Sequence, residues 1–134
     1  MTEAATPLTA NPDYTSMFAD LRATFESEKT IDLAWREQQL QALERMMTER
    51  EQEILDALQE DLAKHPLEAW MTEVSYVASS AAYSRKNLRK WTRRRRVSTP
   101  ITGLPGKSWL QPEPLGVVLI IGAWNYPLQL TLSG

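Results

Sequence analysis

Asn125 stands in the string Gly122-Ala123-Trp124-Asn125-Tyr126-Pro127, directly after the apolar run Val117-Val118-Leu119-Ile120-Ile121. A short run rich in β-branched residues and bounded by Gly and Pro predicts a strand buried on both faces. Strands of that kind belong to parallel sheets covered by helices. Open α/β sheets bind their ligands just beyond the carboxyl ends of such strands. Gly122 would let the backbone approach a ligand closely. Trp124 can pack inward while its backbone faces that ligand. Taken by itself, Asn125 reads as a turn residue that tolerates unusual backbone angles and bonds its own loop.

Other residue types narrow the chemistry. The chain has no cysteine, which excludes disulfides, thiolate metal sites and a cysteine nucleophile within these residues. His65 is the single histidine and precedes Pro66, a surface position at a helix break. No His/Cys/Asp cluster suggests a metal, and neither GxGxxG nor a P-loop is present. The carboxylates Glu49, Glu51 and Glu53, like Glu60 and Asp61, read as solvated helix faces. Arg93 to Arg96, with Arg85, Lys86, Arg89 and Lys90, form a basic cluster that could meet phosphates. No reading helix or stacking platform accompanies it, so neither a nucleic-acid nor a membrane-surface role is assigned. A solvated helix end and pairing with the acidic half of the chain are the plainer readings.

The elements that must position Asn125 come earlier. Residues 1–12 are small and polar, with Pro7 and Pro12, and read as a disordered lead. Residues 13–92 read as three helices. Asp13 or Thr15 can cap the first, whose apolar face is Tyr14, Met17, Phe18, Leu21 and Phe25. Thr30 or Asp32 can cap a long second helix striped by Leu33, Leu40, Leu43, Met47, Ile54, Leu58 and Leu62, with a kink expected around Glu49–Gln52. Glu60 and Lys64 are spaced as a favourable helical pair. His65-Pro66 should stop this helix by Lys64, and Pro66 can open the third. Its stripe is Leu67, Trp70, Met71, Val74, Val77, Ala78, Ala81, Leu88 and Trp91. Residues 93–106 read as a basic loop. Within 107–134, Lys107 to Gln111 reads as an extended or edge segment, the buried strand follows, and Pro127 opens a last helix.

With 134 residues, 43% hydrophobic and 24% charged, the chain has the composition of an ordinary soluble domain able to bury a core. Residues 1–73 hold 16 of its 17 acidic residues, whereas Val74 to Pro112 hold nine basic residues and no acid. The amino terminus lacks a basic and apolar signal pattern, and a cytoplasmic location is expected.

Two motifs carry a family resemblance. Pro114-Leu115-Gly116-Val117-Val118 followed by Ile121-Gly122-Ala123-Trp124-Asn125-Tyr126-Pro127 resembles the start of the cofactor-binding sheet of aldehyde dehydrogenases. Trp-Asn-Tyr-Pro, rather than Trp-Asn-Phe-Pro, is similar to the class 3 and coniferyl-aldehyde branch. Arg36-Glu37-Gln38-Gln39-Leu40 through Asp61-Leu62-Ala63-Lys64 extend the likeness over residues 15–132, about the first quarter to third of such an enzyme. The resemblance implies an α/β fold with a Rossmann-like dinucleotide domain, of which this chain is the mainly helical opening plus the first sheet strand. It implies oxidation of an aldehyde to a carboxylic acid with NAD or NADP, in a homodimer. It places Asn125 as the stabiliser of the oxyanion formed when a cysteine thiolate attacks the aldehyde. Ile121, Gly122, Ala123 and Trp124 map onto the cofactor-facing segment, and Tyr126 and Leu130 onto the substrate channel. The chain lacks the cysteine and ends before the family's general-base glutamate, and no proline follows Leu130. These residues alone are therefore expected to be inactive. As an alternative, the apolar stripes from Leu33 to Leu62 and from Leu67 to Trp91, left exposed without the rest of such an enzyme, would make a noncatalytic helical interaction or self-association module.

Overall fold

The computed structural model describes residues 13–133, so the expected disordered lead, residues 1–12, lies outside the described residues. Helix α1 (Tyr14–Glu26) starts where Asp13 Oδ1 accepts from the amides of Thr15 and Ser16, at 3.0 and 3.3 Å. Such a cap satisfies backbone donors that a helix start leaves unpaired. Asp32 does the same for α2 (Leu33–Glu49), accepting from Ala34 and Trp35. Between them lies a 3₁₀ turn, Lys29–Ile31. The helix breaks at Arg50, whose φ of −113° and ψ of 21° are not helical, and restarts as α3 (Glu51–Leu62). The break falls within the stretch where a kink was expected.

Helix α3 ends on Ala63, held left-handed at φ 50°, with its N–H donated to Gln59. That conformation is costly for any residue but glycine, and it throws the next residue off the helix line. Lys64 consequently does not pair with Glu60. It turns inward, leaving 9% of its surface exposed, and meets Glu73. His65 Nδ1 accepts from Leu67 N at 3.2 Å, and Pro66 occupies the first turn of α4 (Pro66–Ala69). A π-helical turn, Trp70–Val74, joins α4 to α5 (Ser75–Trp91).

Helix α2 packs along α5, and the core gathers Met47, Leu58, Ala69, Val74, Val77 and Ala81, with Leu43, Ile54, Leu55 and Leu128 around it. The charge asymmetry is partly resolved across this contact. Arg85 Nε reaches Glu44 Oε1 at 2.6 Å, and Arg89 Nε reaches Glu37 Oε1 at 2.8 Å. The hydrogen bond from Arg85 holds the Glu44 carboxyl below its ordinary value, while Glu44 raises the Arg85 guanidinium.

Two further expectations are corrected. The basic segment is not all loop: β1 (Arg95–Val97) pairs antiparallel with β2 (Ser108–Leu110), in the register Arg95 to Leu110, Arg96 to Trp109 and Val97 to Ser108. Arg94 stacks on Trp109, 4.5 Å from the ring centre. The second correction concerns Val117–Ile121, which forms no strand and is not buried; Leu119 and Ile121 are each 85% exposed. A strand is held by its ladder partners, and among the described residues nothing pairs with this segment. The last element is α6 (Pro127–Leu132), opened by Pro127.

Candidate active site

The site is built on the turn that joins the apolar segment to α6. Tyr126 N donates to Ala123 O at 3.4 Å, which places Trp124 and Asn125 at the two central positions of a four-residue turn. Asn125 is exposed there. Before the turn, Gly122 is backed by α6: a Cβ at this position would lie 2.7 Å from Thr131 Cγ2 and 3.4 Å from Leu130 Cβ. The bare face of Gly122 therefore serves helix packing, and any ligand must approach from the other side. Ile121 and Ala123 are exposed.

After the turn, α6 is held from below. Glu73, fully buried in the π-helical turn, accepts through Oε2 from Leu128 N at 3.0 Å and Gln129 N at 2.9 Å. Its Oε1 meets Lys64 Nζ at 2.5 Å. Lys64 Nζ also lies 4.0 Å from the centre of the Tyr126 ring, a cation–π contact. Sequence reasoning missed both Lys64 and Glu73. A signal existed: Ala69, Glu73, Val77 and Ala81 fall in one i,i+4 column, and all four are buried. A glutamate in such a column needs a buried partner.

Trp124 does not pack inward as expected; it is 86% exposed. Trp124 instead borders a groove of about 580 Å³. Met46, Ile54, Ala57, Leu62 and Leu128 supply apolar lining, and Arg50, Glu53 and Asp61 supply charged lining. Tyr126 and Leu130, expected in a substrate channel, do not line this groove. Among the described residues no cluster of His, Cys, Asp or Glu could hold a metal, and no helix is long and apolar enough to cross a membrane.

The family model for the aldehyde dehydrogenase family matches residues 2–133. The chain belongs to the aldehyde dehydrogenase family. It is 41% identical over 116 residues to 4,4'-diaponeurosporen-aldehyde dehydrogenase of Staphylococcus aureus, covering 87% of this chain and 25% of that protein. It is 45% identical over 113 residues to aldehyde dehydrogenase family 3 member A2 of Rattus norvegicus, covering 84% and 23%. Against the solved structure described as the substrate-bound state of Staphylococcus aureus AldH, the TM-score is 0.86 at 38% identity, over 91% of this chain and 27% of that one. The likeness to class 3 aldehyde dehydrogenases thus extends over most of the chain. The chain spans about a quarter of the length of these curated relatives.

Proposed function

We propose that these residues form the amino-terminal part of an NAD- or NADP-dependent aldehyde dehydrogenase that converts aldehydes to carboxylic acids. Asn125 is its oxyanion stabiliser. The observation that supports this most is the placement of Asn125: exposed, central in a tight turn, and gripped by packed backbone on either side. An amide N–H held in one direction before reaction stabilises charge where it develops, without reorganising at that moment. A carboxylate at this position would repel that charge.

The residues present fit a dinucleotide on one face. Ile121 and Ala123 are open, while Gly122 is closed off behind by Thr131. Ile121 to Trp124 would hold the cofactor through their backbone. When bound, it would accept the hydride from the substrate. Tyr126 and Leu130 remain candidates for the substrate channel, completed by residues outside this chain. On this reading the nucleophile and the general-base glutamate come from residues outside these, which contain no cysteine. The polypeptide encoded by the complete reading frame around these residues should reduce NAD or NADP in the presence of aldehydes. The 134-residue chain alone should not. Cofactor reduction by the chain alone, or none by the complete polypeptide over a broad aldehyde panel, would overturn the reading.

A second reading, self-association, is favoured by one observation. Met17, Phe18 and Leu21 on α1, with Leu119 and Ile121, leave large side chains in solvent, and exposed apolar patches favour association. A monomer at high concentration by light scattering would count against it.

A further inference from the structure

The turn carrying Asn125 has little bonding of its own: within it, the 3.4 Å contact from Tyr126 N to Ala123 O is the one backbone hydrogen bond. Its direction is set by what holds its two ends. Gly122 rests on Thr131 before the turn. Beyond it, Tyr126, Leu128 and Gln129 all converge on one buried ion pair, Lys64 with Glu73.

We propose that Glu73 is a positioning residue for Asn125, acting through the first turn of α6, and that Lys64 holds Glu73 for that task. The inference rests on the oxyanion reading of Asn125 given above. One carboxylate oxygen receiving two successive backbone N–H groups fixes both the depth and the rotation of α6 against the core. Charge-assisted bonds are short and directional, which apolar packing of the same volume is not. Lys64 occupies the other oxygen, so that Glu73 is divided between a cation and the helix start. The same ammonium caps the face of Tyr126, the residue next to Asn125. A buried ion pair is weak as a source of stability compared with apolar residues of its size. Its value here is a fixed geometry in a site where a misplacement of about 1 Å can cost roughly 10²-fold in rate. The π-helical turn fits this role: it places Glu73 in the buried Ala69, Val77 and Ala81 column, directly beneath α6, and such turns recur at functional sites.

The test compares amide hydrogen exchange in the 134-residue chain and in the double variant Lys64→Met/Glu73→Met, which replaces the pair by apolar side chains of similar length. Protection at Leu128 and Gln129 should fall at least about 10-fold, with Met47 and Val77 unchanged. The Asn125 side-chain amide resonances should shift as well. The variant Lys64→Met/Glu73→Gln returns a neutral acceptor oxygen and should recover the protection at both amides. Retained protection in the Met/Met variant would overturn the proposal, as would a loss shared equally by Met47 and Val77, or failure of Gln to restore it. In the complete polypeptide, the Met/Met variant should lower kcat with KM little changed; an unchanged kcat would contradict the proposal. Absence of turnover in the wild type would defeat the functional reading instead, and it would leave the exchange result standing.

Discussion

Two regions of this chain contain residues of similar hydrophobicity and end up in opposite conditions. Met47, Val74 and Val77, on α2, the π-helical turn and α5, are almost wholly withdrawn from water. Leu119, Ile120 and Ile121 are left in it. The difference lies in where backbone hydrogen bonds are found. A helix satisfies its own N–H and C=O groups, so a helical segment needs only an apolar stripe and a facing surface. A strand needs another strand, and none of the described residues supplies one to Val117–Ile121. Burial follows the pairing rather than the hydrophobicity. The turn with Asn125 lies on the boundary of the two regimes, and Glu73 reaches across to hold it.

This contrast can be broken at several points. The largest effect is expected from Lys64→Met alone, which leaves the Glu73 carboxylate buried without its cation and should cost about 3–5 kcal/mol, read as a fall in Tm. Met47→Ala opens a cavity in the helical core and should cost about 2–5 kcal/mol, read by denaturant unfolding. Gly122→Ala forces a Cβ against Thr131 Cγ2 and should cost about 1–3 kcal/mol. Thr131→Ser in the same chain removes the opposing methyl and should recover most of it. Ile121→Ser, in the exposed segment, should change stability by no more than about 0.5 kcal/mol, while reducing any self-association seen by light scattering.

The smallest effect is a pH dependence. The Arg85 hydrogen bond lowers the Glu44 carboxyl in the folded chain from its ordinary 4.5. Its contribution is complete above that value and is lost as the pH falls through the lower, folded one. Both side chains are partly exposed, so water and salt weaken the pair. Arg85→Gln should therefore remove a small stability difference above pH 4.5 and none in stronger acid.

Much of the helical half was legible because its signals are local. Asp13 and Asp32 cap, His65-Pro66 punctuates, and the stripes have the helical period. The inward turn of Lys64 was not legible, because its spacing from Glu60 suits a helix that Ala63 in fact ends. Glu73 carries no mark of its own along the chain; its place in the Ala69, Val77 and Ala81 column gains meaning only with a partner nine residues earlier. Arg95–Val97 was hidden inside an arginine run; only its pairing with Ser108–Leu110, across an intervening loop, makes it a strand. The Asn125 motif stood out in the sequence, whereas the grip on it is a long-range arrangement that spacing along the chain does not express.

The measurement that bears most directly on the account is the steady-state kinetics of Asn125→Ala in the complete polypeptide. On the proposed oxyanion role, its loss should lower kcat by about 10²–10³-fold and leave KM nearly unchanged. An unchanged kcat would show that Asn125 is a turn residue and that the chain positions no catalytic group.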